Sequence, residues 1–251
     1  MWKWAAASRR GSSHEKTETR LQDAFCCFVA GPAKEYFVAI VSDGAGSAKF
    51  GGQGASLVCR TMATLARKHL VARGRLPADE EIRGWTDDVR DLLGAVSARH
   101  GASLRDFAST LVCLISDGKD SVACHVGDGC IVMKGARTEG WIAASWPEQG
   151  EYASTTFFMT DDAELRLRIS RFSEDVHAVS LFSDGLERLS LDFSSKSPSA
   201  RFFDPMIAPV AASTYCGRDP ELSAALKEYL GSAAVLARTD DDKTLVLAVR
   251  Q

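Results

Sequence analysis

An α+β sandwich is the fold class this sequence predicts, and three observations predict it. Two long amphipathic stretches come early, short β-branched segments follow them, and helical stretches return before a last apolar run. The short segments are separated by turn residues rather than by crossover helices, so a parallel α/β fold is not expected.

Each element has its own signal. Residues 25–30 and 36–42 are apolar runs divided by Gly31-Pro32-Ala33-Lys34, which reads as a hairpin-like strand pair. Residues 51–70 repeat apolar side chains at helical spacing, with Ala55, Val58, Cys59, Met62, Leu65, Ala66 and Leu70 on one face. A second helix is expected over 77–100, striped by Ile82, Trp85, Val89, Leu92, Leu93 and Val96. Strands follow at 108–116, 121–126 and 131–134, with Asp117-Gly118 as a turn. Further strand character occupies 141–145, 155–160, 165–169 and 176–182. Residues 190–199 are polar and read as a loop. Residues 199–212 and 220–229 read as helices, and 244–249 as a final buried strand.

The 251 residues are 45% hydrophobic and 25% charged, the balance of an ordinary globular chain. A formal net charge of −3 argues against nucleic-acid or acidic-membrane binding. No apolar stretch is long enough to span a bilayer, and the opening Met1-Trp2-Lys3-Trp4 lacks the apolar core of a signal peptide. Seven cysteines, scattered and without a CxxC pair, point to reduced thiols and a cytoplasmic protein.

The chemistry concentrates in aspartates at strand ends. Three apolar runs end in Asp-Gly, at Asp43-Gly44, Asp128-Gly129 and Asp184-Gly185. Asp240-Asp241-Asp242 precedes the last strand, and Asp23 precedes residues 25–30. A carboxylate at a strand tip is held rigidly, and the glycine after it lets other groups come close. One Asp-Gly is an ordinary turn. Several that converge would repel one another unless cations neutralise them, and oxygen-only donors select Mg2+ or Mn2+ over Zn2+.

These residues carry a resemblance. Gln22-Asp23-Ala24, Val41-Ser42-Asp43-Gly44, Ala108-Ser109-Thr110, Val126-Gly127-Asp128, Phe182-Ser183-Asp184-Gly185 and Asp241-Asp242-Lys243-Thr244 stand in the order and approximate spacing of the type 2C (PPM-family) metal-dependent serine/threonine protein phosphatase motifs. Gly150-Glu151-Tyr152-Ala153 and Gly11-Ser12-Ser13-His14 resemble a compact bacterial branch of that family. The resemblance implies one domain over 1–251 and a four-layer α/β/β/α sandwich with two central antiparallel sheets. It implies hydrolysis of phosphoserine or phosphothreonine in proteins by a water bridging two Mn2+ or Mg2+ ions. In that pattern Asp43 bridges both metals, Asp184 and Asp241 ligate one, the Gly44 carbonyl ligates the other, and Asp23 acts through a metal-bound water. Asp128 matches the holder of a third, weaker ion.

Three positions depart from the pattern. Gln22 replaces a common glutamate, Glu18 a phosphate-binding arginine, and Arg188 an aspartate near the third ion. Arg20, Arg9 and Arg10 are the nearby substitutes for the arginine, with Arg20 the one expected to bind substrate. His14 is the candidate acid for the leaving group. The segment between Asp128 and Asp184 is short for a large substrate flap.

Rival motifs are weaker. No cysteine has the arginine six residues on that a cysteine phosphatase needs. The glycine-rich run over 44–52 fits neither a Walker loop nor GxGxxG, and the five histidines lack zinc spacing. A non-enzyme reading stays open: a phosphatase-like domain that binds phosphoproteins or regulates a partner kinase without turnover.

Overall fold

The computed structural model describes residues 1–135, 140–148, 156–161 and 165–251. The chain opens with β1 (Trp2–Arg9) and a short helix, α1 (Ser12–Lys16). The hairpin β2 (Ala24–Ala30) and β3 (Tyr36–Ser42) follows, then the long helices α2 (Gly51–Arg73) and α3 (Asp79–Arg99). After a 3-10 turn come β4 (Leu111–Ser116), β5 (Asp120–Val126), β6 (Cys130–Gly135), β7 (Ile142–Ser145), β8 (Arg168–Ser173) and β9 (Val176–Phe182). The C-terminal part contains α4 (Glu187–Ser190), β10 (Leu191–Asp192), β11 (Ser197–Pro198), α5 (Ala200–Ala212) and β12 (Gly217–Arg218). It closes with α6 (Pro220–Leu230), α7 (Ala233–Leu236) and β13 (Lys243–Arg250).

Two sheets carry the fold. One has the order β2-β3-β4-β5-β8 and is antiparallel throughout. The other has the order β12-β1-β13-β9-β6-β7, antiparallel except where the two-residue β12 runs parallel to β1. Alternation along the strands sorts side chains between layers. On β3, Phe37, Ala39 and Val41 face the other sheet, joining Trp2, Trp4, Leu181 and Val246. Tyr36, Val38 and Ile40 face the helices, joining Val58, Met62 and Leu70 of α2 and Trp85, Val89 and Leu93 of α3. On the opposite flank Phe203 of α5 and Leu226 of α6 cover Leu245 and Leu247 of β13. The layers therefore run helix, sheet, sheet, helix, as expected. Each fully buried Leu, Ile or Phe adds about 1.5–3 kcal/mol of hydrophobic stabilisation. Among the described residues no helix is long and apolar enough to cross a membrane.

Some expectations change. β1 is absent from the sequence reading, yet it lies inside a sheet, where Trp2 stacks on Phe37 at 5.0 Å between ring centroids. No strand runs through 156–161; a turn occupies 159–160. The strand expected over 165–169 starts at Arg168 and continues to Ser173. The loop expected over 190–199 contains the small β10–β11 ladder, Leu191 opposite Pro198. Residue 155 of the expected 155–160 strand and the motif Gly150–Ala153 lie outside the described residues.

Candidate active site

Register brings the aspartates to one end of both sheets. Ala24 pairs with Ser42, so Asp23 and Asp43 project from the same end of the β2–β3 hairpin. Leu245 pairs with Phe182, so the Asp241-Asp242 segment and Asp184 meet at the matching end of the other sheet. Val126 pairs with Leu111, which sets Asp128 beside the start of β4. Thr110, just ahead of β4, holds the Asp43 backbone. Its N–H donates to the Asp43 carbonyl at 2.8 Å, and its hydroxyl accepts from the Asp43 N–H at 2.9 Å.

The cluster is self-repelling, with Asp23 buried and Asp43, Asp128 and Asp184 half-buried. Burial pushes the Asp43 carboxyl well above the usual carboxylate range, and the charges of Asp23 and Asp184 push it further. Its side chain shares a hydrogen bond with Asp184. Asp184 is raised to about 7, first by burial and then by Asp128. Asp23 is also raised to about 7 by burial, although the hydroxyls of Ser183 and Thr244 both donate to its Oδ2 at 2.7 Å. Asp128 is raised chiefly by burial. Carboxyls crowded this closely hold on to their protons unless positive charge joins them.

A divalent cation fits what the residues leave open. Asp23 Oδ1 and Asp184 Oδ1 are buried without a hydrogen-bond partner, and the donors are oxygens, the set preferred by Mg2+ and Mn2+. Asp43 and Asp184 are in direct contact, and among the described residues no three His, Cys, Asp or Glu side chains already share metal-ligand spacing. Gly44 is packed so tightly that a Cβ there would lie 2.2 Å from the Gly51 carbonyl carbon, and its N–H donates to the Gln22 carbonyl at 3.2 Å. A Cβ on Gly185 would lie 2.0 Å from the Asp242 carbonyl oxygen, so only glycine lets the Asp184 turn meet the Asp242 segment.

The adjacent Asp241 and Asp242 have divided roles. Asp242 is 1% exposed and works inside the fold. Its carboxylate accepts from the Gly11 N–H at 2.7 Å and the Gln22 N–H at 2.6 Å, and His14 Nδ1 lies 3.0 Å away. Asp241 is exposed, and its charge bears on Asp23, Asp43, Asp128 and Asp184. Lys243, fully buried, donates from Nζ to the Asp241 carbonyl at 2.6 Å and fixes that corner. Asp242→Ala is expected to lower stability by about 2–4 kcal/mol, because two buried N–H donors lose their acceptor. Asp241→Ala should cost less than about 1 kcal/mol. Urea melts of the two variants check this; equal losses would remove the division.

Other expected residues fall at the rim. His14 rests against Asp242, and Arg20 is exposed on a cavity that Gln22 also lines. Arg10 lies 4.0 Å from Glu15, and one of its N–H groups donates to the Thr19 carbonyl at 3.4 Å. Gln22 is buried with Oε1 unpartnered. Sequence reasoning missed Glu187, whose Oε1 is also buried and unpartnered and whose pKa is raised to about 8 by burial and then by Asp184 and Asp128. Its signal was spacing: three residues after Asp184 is one helical turn.

Comparisons with known proteins identify the family and the fold. The family model for protein phosphatase 2C matches residues 10–231. Serine/threonine-protein phosphatase 3 of Escherichia coli (strain K12) is 36% identical, covering 99% of this chain and 98% of that protein. A crystal structure of a bacterial serine phosphatase superposes with a TM-score of 0.69 at 14% identity, covering 100% of this chain and 98% of that one. PppA, described as a key regulatory component of T6SS in Pseudomonas aeruginosa, gives 0.66 at 20% identity over 99% of this chain and 97% of its own. Serine/threonine phosphatase Stp1 from Staphylococcus aureus gives 0.64 at 16% identity, over 100% and 96%.

Proposed function

Because the chain belongs to the protein phosphatase 2C family, we propose that it hydrolyses phosphoserine and phosphothreonine in proteins and needs Mn2+ or Mg2+ to do so. The observation that carries this is the convergence of buried Asp23 with half-buried Asp43 and Asp184, mutually repelling and with two buried carboxylate oxygens unpartnered. Divalent ions held there would lower the pKa of water enough to provide a hydroxide-like nucleophile near neutral pH, and would supply positive charge for the phosphoryl oxygens.

The chain's own residues set up that reaction. Asp43 and Asp184 are the central ligands, held at their strand tips by Thr110 and by the β9–β13 pairing. Asp241 adds a carboxylate from the rim, and the Gly44 carbonyl a neutral oxygen. Asp23 is oriented by Ser183 and Thr244, so its free Oδ1 can hold a water's proton. Asp128 and Glu187 are the candidates for a third, weaker ion. Arg20 orients the substrate phosphate, and His14 is within the group that can protonate the leaving oxygen. We read residues 1–251 as one such domain. The free cysteines suit a reducing, cytoplasmic setting.

The test is phosphate release from phosphoserine and phosphothreonine peptides with Mn2+ or Mg2+. Binding of such peptides without turnover would favour the regulatory reading, in which the domain recognises phosphoproteins or controls a partner kinase. The neutral Gln22 favours that reading most. An amide offers a dication only a dipole where a carboxylate offers full charge. Gln22→Glu is therefore expected to tighten Mn2+ binding by about 5-fold or more. Calorimetric titration of both proteins checks it; unchanged or weaker binding would show that position 22 does not limit the site.

A further inference from the structure

Beside the carboxylate centre lies a cavity of about 570 Å³, of which the chemistry above uses only the Arg20 and Gln22 edge. That volume lies within the range of ligand pockets, about 300–1,000 Å³. Its charged lining is Arg20, Lys49 and Arg60, with no carboxylate among the lining residues. All three cations are exposed, and none is in an ion pair among the described residues. Lys49 Nζ stands 5.1 Å from the Phe50 ring centroid, and Arg60 spends only Nε, on the Ser56 carbonyl at 3.3 Å. The floor is apolar, made by Leu21, Phe50, Leu57 and Val96. Helix α2 starts at the same place without a side-chain cap, so its first N–H groups add positive partial charge.

The cavity and the centre share a wall. Gln22 lines the cavity and is followed by Asp23, while Gly44 and Gly51 touch across that wall. A peptide whose phosphate enters the centre therefore lays a neighbouring residue over the cations. We propose that this pocket docks an acidic side chain flanking the phosphorylated residue, so that the enzyme prefers phosphosites next to Asp or Glu. The proposal rests on the phosphatase reading. An acidic side chain suits the site better than a second phosphate, because its methylene stem and backbone cover the apolar floor that a phosphate group leaves bare.

The experiment uses the full chain loaded with Mn2+ and phosphothreonine peptides that differ only in their flanks: Glu, Gln or Lys. The Glu-flanked peptide is expected to have about a 10-fold higher kcat/KM than the Gln-flanked one, through KM, shrinking as salt rises. Lys49→Ala with Arg60→Ala should bring that ratio to within about 2-fold. Lys49→Glu with Arg60→Glu should reverse the preference toward the Lys-flanked peptide, an outcome that a misfolded pocket cannot produce. Equal rates on the three peptides in the wild type, or a preference untouched by charge reversal, would overturn the proposal. So would a preference confined to a peptide carrying a second phosphate in place of the Glu. If the wild type releases phosphate from none of the peptides and from no small aryl phosphate, the phosphatase reading itself fails, and the docking proposal with it.

Discussion

Asp43→Asn is expected to lower kcat/KM on a phosphothreonine peptide by about 10³-fold or more at saturating Mn2+. That corresponds to losing roughly 4 kcal/mol of transition-state stabilisation, the scale of metal-ion catalysis. Asp43 touches Asp184, feels the charge of Asp23 and is fixed through its backbone by Thr110. Among the described residues no other carboxylate has that central place. The fold should not suffer. An amide keeps the shape of the side chain and can still hydrogen-bond Asp184, while one source of repulsion disappears. The metal-free variant is therefore expected to melt no lower than the wild type, and Mn2+ should raise its melting temperature less. Kinetics and thermal melts with and without Mn2+ make the check. Turnover within about 10-fold of wild type would sink the assignment of Asp43.

Removing metal is expected to stop turnover and to make stability fall as pH rises. The sign follows from proton counts. A carboxyl that ionises near 3.8 in the unfolded chain and near 7 in the folded one keeps its proton longer when folded. Between those values the folded state holds more protons, so raising pH favours unfolding. Asp23 and Asp184 act this way up to about 7, Glu187 up to about 8, and Asp43 in the same direction. His125 acts oppositely: burial, with the nearby Arg168 charge, lowers it from 6.5 to about 3, so its effect lies below 6.5. From pH 6.5 to 8 these acids dominate among the described residues. In chelator the melting temperature should drop by about 5 °C across that window. Added Mn2+ should raise it more at pH 8 than at pH 6.5, and Mn2+ or Mg2+ should restore turnover. Full activity in excess chelator, or a metal-free melt that rises over that window, would count against a carboxylate metal site.

The sequence by itself determined the sandwich class, the long helices and the set of strand-tip aspartates. Those signals are local: a helical stripe repeats within a few turns, and Asp43 or Asp184 announces itself as the residue that ends an apolar run. Only the tertiary structure decided the rest. β1, with three consecutive alanines, has little strand propensity of its own. It becomes an interior strand because Trp2 pairs with Arg250 at the far end of the chain and its tryptophans bury against Phe37. Asp241 and Asp242 are equivalent as neighbouring letters. They diverge because one carboxylate meets the N–H groups of Gly11 and Gln22 while the other stays at the rim. The cationic cavity joins residues around 20, 49–60 and 96, which share no local pattern. Burial and charge act through space, so contacts between distant segments set which side chain is a ligand, which a fastener and which a docking site.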